Sequence, residues 1–195
     1  MKWIDFERQL KKKDIKLLTP LDVQRFLGRS KVAVTFLLHR LKKQGYLESI
    51  KRGLYKLTEE QIPDVYLANK LYEPSYVSLE FALSYHGIIP ENVYEITSIT
   101  PKATRHFETV GKVFSYRKIK RKAFTGYAIG KQKGFSFQIA DAEKAFVDTL
   151  YYRLFDGRKP LSRFNKDKIN KARALRYAQL FENEKLISII TTTLR

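Results

Sequence analysis

Lys31, Thr35, His39 and Lys42 recur along one helical segment at spacings that put them on or near a single side. Lys51 and Arg52 follow at the tip of a short hairpin. Ammonium and guanidinium groups bind phosphate oxygens, and hydroxyl, imidazole and amine donors reach base edges, so the chemistry this set offers is nucleic-acid binding. Arg29 and Lys43 flank it, and the candidate DNA-binding set is Arg29, Lys31, Thr35, His39, Lys42, Lys43, Lys51 and Arg52. A plain solvated helix face is the competing reading of Thr35 and His39. Asp141, Glu143 and Lys144 invite a metal-dependent nuclease reading. The (Asp/Glu)-x-Lys spacing is missing, however, because Lys144 directly follows Glu143. His39, His86 and His106 lie far apart and show no metal-ligand spacing. There is no Gly-rich phosphate loop of the Walker type, and no Gly-Ser followed by an Asp-x-Asp pair. No catalytic residue, metal or cofactor is therefore expected.

The elements that must hold the basic set are legible nearby. Ser30 is a good N-cap, and Val34, Leu37, Leu38 and Leu41 form an apolar stripe after it. Gly45 follows a basic last turn as a helix stop would. Tyr46 to Ile50 and Leu54 to Leu57 read as two strands joined by a three-residue Lys51-Arg52-Gly53 tip. Upstream, Met1 to Lys13 reads as a helix, and Thr19-Pro20-Leu21-Asp22 starts another that ends at Gly28. The turn Gly28-Arg29-Ser30 joins the two helices of a helix-turn-helix. Helix, glycine and basic-tipped hairpin is the layout of a winged helix-turn-helix, with the Ser30 helix entering the major groove and the hairpin as wing. Phe36 falls off the apolar stripe, so it either packs under the first helix or lies exposed beside the groove; packing is the preferred reading.

The expected organisation is a winged helix over 1–58, a linker and short helix over 59–74, and a mixed α+β domain over 75–195. In the last, Ser78 opens a helix closed by Gly87, and Val93 to Thr100 reads as a strand. Residues 112–139 read as an antiparallel set with Gly130 to Gly134 as a turn, and Asp141 caps a helix to about Leu154. Two C-terminal helices follow, Lys166 to Phe181 and Glu184 to Leu194. The fold class is α+β, with an antiparallel sheet and C-terminal helices in the second domain.

Charge gives an independent line. The 195 residues carry a net charge of +18, unevenly spread. Residues 1–57 hold fifteen Lys and Arg against five Asp and Glu, 58–116 hold four against eight, and 117–195 hold nineteen against seven. A polyanion partner is the simplest reason to tolerate such self-repulsion; a solubilising surface is the alternative. The second block supplies a secondary basic surface, Arg117, Lys118, Lys120, Arg121, Lys122, Lys168, Lys171 and Arg176, which could extend a DNA contact, touch RNA or meet an acidic protein. The absence of cysteine suits a reducing compartment. No apolar run is long enough to span a bilayer and no signal peptide is visible, so a cytoplasmic protein without a membrane partner is expected.

Three stretches carry a family resemblance. Gly45-Tyr46-Leu47-Glu48-Ser49-Ile50-Lys51-Arg52-Gly53-Leu54-Tyr55 resembles the wing of the AbiEi-type antitoxins, also described as predicted transcriptional regulators of viral defence systems. Ser75-Tyr76-Val77-Ser78-Leu79-Glu80-Phe81-Ala82-Leu83-Ser84-Tyr85-His86-Gly87 resembles that family's "YVSLESALSYHG" stretch. Ile139-Ala140-Asp141-Ala142-Glu143-Lys144-Ala145-Phe146-Val147-Asp148 resembles its "IASPEKALLD" stretch, with Ala142 where the family often has Pro. The wing is shared by many regulators, whereas the other two stretches together are more specific, and the three span most of the chain in order. The resemblance implies a type IV, abortive-infection toxin–antitoxin system of phage defence. In it, the N-terminal winged helix represses its own operon through double-stranded operator DNA, expected to be an inverted repeat. The C-terminal domain opposes a co-encoded nucleotidyltransferase toxin, which it need not bind stably. The roles of Glu143, Lys144 and Asp148 stay open at this point, an i, i+4 surface ion pair of Lys144 and Asp148 being one reading. The alternatives to this function are a ligand-responsive winged-helix transcription factor without a toxin partner, which calls for an apolar pocket in 75–155, and a nucleic-acid enzyme.

Overall fold

The computed structural model describes residues 3–195, so Met1 and Lys2 of the expected first helix lie outside the described residues. The chain is α+β and divides into two compact units between Ile62 and Pro63.

In the first unit, α1 (Trp3–Lys12) buries Phe6 and Leu10. A two-residue strand β1 (Leu17–Leu18) leads into α2 (Pro20–Leu27), then α3 (Lys31–Lys43), β2 (Leu47–Lys51) and β3 (Leu54–Leu57). The helix starts follow the local chemistry. The Thr19 hydroxyl accepts from the Asp22 amide at 3.2 Å while the Thr19 amide donates to the Asp22 carboxylate at 2.9 Å, a reciprocal capping box. Ser30 Oγ accepts from the Ala33 amide at 3.3 Å. Between the two helices Gly28 adopts φ +61°, a left-handed turn that glycine takes without a Cβ penalty. The three strands form an antiparallel sheet in the order β1-β3-β2. Val34, Leu37, Leu38 and Leu41 of α3 meet Phe6, Leu10, Leu18, Val23, Leu47 and Leu57 in one core. Outside it Trp3 stacks on Tyr46, with ring centroids 4.5 Å apart. Two sequence expectations are corrected here. The hairpin tip is two residues, Arg52-Gly53, because Lys51 pairs with Leu54 and belongs to the strand. Phe36 does not pack under the first helix: it points to solvent and is 72% exposed.

Losing a capping hydroxyl at this kind of site costs about 1 kcal/mol. Thr19→Ala is therefore expected to lower the stability of the first unit in urea by that amount without changing the transition's slope. An unchanged midpoint would mean the box does not hold α2.

The second unit opens with α4 (Asp64–Leu71), β4 (Tyr76–Val77), α5 (Leu79–Tyr85) and β5 (Ile96–Thr100). It continues through β6 (Arg105–Thr109), β7 (Lys112–Lys118), a 3-10 turn (Arg121–Ala123), β8 (Tyr127–Gln132) and β9 (Phe135–Ala140). It ends in α6 (Ala142–Phe155), a 3-10 turn (Lys166–Lys168), α7 (Lys171–Gln179) and α8 (Glu184–Thr193). The six strands form one sheet, ordered β6-β7-β5-β4-β9-β8. It is mixed rather than antiparallel. β4 runs parallel to β9, and β5 runs parallel to β7 because β7 turns back from the outer strand β6 to lie beside β5. The expected turn at Gly130 to Gly134 is also smaller. The strand runs through Gly130 to Gln132, and the tip is Lys133-Gly134, both left-handed at φ +49° and +81°. Gly130 is small because a Cβ there would lie 2.7 Å from the Phe137 ring. The expected long helix from Lys166 begins only at Lys171, where the Asn170 side chain accepts from the Arg173 amide at 3.0 Å.

Helix α6 occupies the centre, packed against α5, α7, α8 and β9, and Glu143 through Leu150 are all buried. The two family-like stretches meet there. Val77 pairs with Ile139, and His86 Nε2 hydrogen-bonds the Ala140 carbonyl at 2.8 Å. The Asp148 carboxylate accepts from Tyr76 Oη at 3.0 Å, from Ser78 Oγ at 2.8 Å and from the Lys144 ammonium. Lys144 and Asp148 are 0% exposed, so the surface ion-pair reading is corrected to a buried one. Burial pushes the Asp148 carboxyl above and the Lys144 ammonium below their ordinary values, each held back by the other's charge.

Candidate nucleic-acid interface

Helix α3 contains no acidic residue and ends in Arg40, Lys42 and Lys43. Its buried stripe fixes which side chains face water. Lys31, Thr35, His39, Lys42 and Lys43 are all exposed, as are Arg29 in the preceding turn and Arg52 at the hairpin tip. Thr35 Oγ1 donates to the Lys31 carbonyl at 2.9 Å, which leaves the hydroxyl's lone pairs available. Lys51, at the end of β2, is half-buried, whereas Arg52 at the tip is exposed.

The carboxylates of this unit that form ion pairs form them elsewhere. Glu7 pairs with Lys11, Asp14 and Glu60 with Lys16, and Glu48 with Lys56 at 3.0 Å. Among the described residues, the cations of α3 and its flanks therefore keep their charge unneutralised, the state in which they contribute most to polyanion attraction.

The buried stripe of α3 fixes the centre of its exposed arc. Val34, Leu37, Leu38 and Leu41 point inward, and the direction opposite their mean falls on Val32, Phe36, His39 and Lys43, spaced i, i+4, i+7 and i+11. Lys31, Thr35 and Lys42 flank this line on one side and Arg40 on the other. Val32, which the sequence reading passed over, and Phe36, which it preferred to pack under the first helix, are thus central, at 65% and 72% exposed. The signal was available in the mean direction of the buried stripe.

The secondary basic surface is less uniform than its composition. Arg117 is corrected from a surface cation to a structural one. It makes a bidentate pair with Asp156, both contacts at 2.7 Å, and lies 4.3 Å over the Tyr152 ring. That guanidinium also holds the Asp156 carboxyl below the usual carboxylate range. Lys120 and Lys122 both reach Glu182, Lys168 donates to the His86 carbonyl at 3.0 Å, and Lys171 to the Thr191 carbonyl at 3.4 Å. Lys118, Arg121 and Arg176 remain exposed.

The carboxylates that suggested a nuclease have structural tasks. Asp141 caps α6 at 2.8 Å and accepts from Arg173 at 2.7 Å and Tyr177 Oη at 2.6 Å. Glu143 accepts from the Asn170 amide at 3.0 Å. Among the described residues, no three His, Cys, Asp or Glu side chains gather where they could hold a metal ion. No helix there is long and apolar enough to cross a membrane. In comparison with known proteins, no family model matches the chain and no curated protein matches it.

Proposed function

We propose that the first unit is a winged helix that binds operator DNA, with α3 in the major groove and the β2–β3 hairpin as wing, and that the chain is the repressor and antitoxin of a type IV toxin–antitoxin pair. The observation that carries the DNA-binding reading is α3 itself: an exposed helix of thirteen residues without an acid, capped at Ser30, beside a hairpin whose exposed tip is Arg52. The antitoxin reading rests on the two stretches around Tyr76 and Asp148, which resemble the AbiEi-type antitoxins and pack on each other. Those stretches build the core of the second unit. Its action on a nucleotidyltransferase toxin is expected to come from exposed residues around that core.

Binding to the duplex upstream of the chain's own gene tests this reading. Specific retention against unrelated duplex is expected, with log affinity falling linearly in log salt. Each phosphate contact contributes about −0.9 to that slope. Replacing Lys51 and Arg52 with alanine is expected to weaken binding severalfold and flatten the slope by roughly 0.9 for each phosphate no longer neutralised. Unchanged affinity and slope would remove the wing from the interface, and equal binding to both duplexes would remove operator recognition.

The ligand-responsive alternative calls for an apolar pocket in 75–155. A cleft of about 480 Å³ does lie there, but Glu80, Glu95, Arg117 and Arg158 are on its walls, so its lining does not favour that reading.

A further inference from the structure

Val32 and Phe36 stand at the outermost line of α3, and among the described residues Phe36 is the most exposed large apolar side chain of the first unit. Two apolar side chains one turn apart in the middle of a cationic helix make an exposed patch whose covering by a partner is favourable. The surroundings specify the cover. Lys31, Arg40, Lys42 and Lys43 ring the pair and α3 carries no acid, which matches a polyanion on every side of the apolar centre. In the major groove of duplex DNA, phosphates flank base edges whose one apolar group is the 5-methyl of thymine, and aromatic and aliphatic side chains read it by contact. We infer that Phe36 and Val32 are specificity-determining residues that select thymine through its 5-methyl group, with Lys43 and His39 on the same line reaching acceptors beyond them.

This inference rests on the DNA-binding reading above and adds to it a base identity and a position. Four residues along a helix advance about 6 Å, close to two base-pair steps. The two thymines are therefore expected one or two steps apart in each recognised site. Thr35, on the flank of the same face, is placed to contact the neighbouring phosphate or base.

The test uses the full chain and the duplex it selects from a randomised pool. Each thymine of that duplex is replaced in turn by deoxyuridine, which keeps the pairing and removes only the methyl group. Burying one methyl-sized group corresponds to about three- to fivefold in affinity. The wild type is expected to lose that factor at one or two positions one or two steps apart. In Phe36→Ala or Val32→Ala the same replacement is expected to have no effect at the position that residue reads. Both residues are exposed, and circular dichroism checks that the variants stay folded. Selective binding with no deoxyuridine penalty, or with a penalty unchanged in both variants, overturns the inference while leaving the interface in place. Failure to select any duplex overturns the DNA-binding reading and the inference with it. A change in molecular mass of the free protein on Phe36→Ala, with no change in the deoxyuridine response, would assign the ring to a contact between copies and overturn it too.

Discussion

Asp148→Ala is expected to destabilise the second unit by about 3–5 kcal/mol, a large share of the roughly 5–15 kcal/mol that holds a typical domain folded. The carboxylate is fully buried and takes three donors at once: the Lys144 ammonium, Tyr76 Oη and Ser78 Oγ. Removing it leaves an ammonium without its counter-ion beside the Tyr76 and Phe181 rings, and two buried hydroxyls without an acceptor. Each orphaned group costs its own desolvation, about 1–3 kcal/mol for a neutral donor and more for a charge. Asp148→Asn is expected to fall between wild type and alanine. Its amide oxygen can still accept from Tyr76 and Ser78, and Lys144, already pushed down by burial, can shed its proton rather than remain a lone charge. Replacing Lys144 by Met and Asp148 by Leu together should recover part of the loss, because an ion pair removed whole takes its desolvation cost with it. The recovery stays incomplete while Tyr76 and Ser78 lack a partner. Urea unfolding followed by hydrogen exchange of α5 and α6 amides gives the readout. A cost below about 1 kcal/mol for Asp148→Ala would mean the network is not what holds α6 to β4 and α5.

This network marks where sequence stops being sufficient. The caps at Thr19, Ser30 and Asp141 were legible because a cap is a matter of a few neighbouring residues. The spacing of Lys144 and Asp148 was legible too. Its burial was not, since an i, i+4 pair has the same spacing whether its helix lies on a surface or is enclosed by four other elements. Strand β6, Arg-His-Phe-Glu-Thr, is too polar and exposed to show a strand pattern, and it exists because β7 offers it an edge. Without β6, the parallel pairing of β5 with β7 could not be anticipated, and the sheet read as antiparallel. At the candidate interface the helix and the exposure of its basic residues were legible. Counting polar residues picks out Lys31, Thr35, His39, Lys42 and Lys43. The buried stripe adds the apolar Val32 and Phe36 to the outward side, on one line with His39 and Lys43.

That distinction predicts opposite behaviour from residues two apart on one helix. Leu38 is 2% exposed at the centre of the first unit's core, in one cluster with Phe6, Leu10, Val23 and Leu47. Truncating a buried leucine to alanine removes its transfer free energy and leaves a cavity, about 2–5 kcal/mol together. A unit of this size has roughly 3–9 kcal/mol to lose, because small domains bury proportionally little surface. Leu38→Ala is therefore expected to take away a large share of the first unit's stability, and DNA retention at 37 °C is expected to fall with it. Phe36→Ala removes a larger side chain from the same helix, yet it is expected to keep the first unit's stability within about 0.5 kcal/mol of wild type, since an exposed side chain leaves no cavity. Its cost should fall on DNA selectivity instead. Thermal unfolding with hydrogen exchange resolved along α3 and α6 separates these outcomes. In Leu38→Ala, protection should vanish from α3 while the α6 amides, held by the second unit's own core, keep theirs. Loss of protection in both helices would show that the units do not unfold separately. A Phe36→Ala variant as unstable as Leu38→Ala would place the ring inside a packed contact and undo its role as a reader of bases.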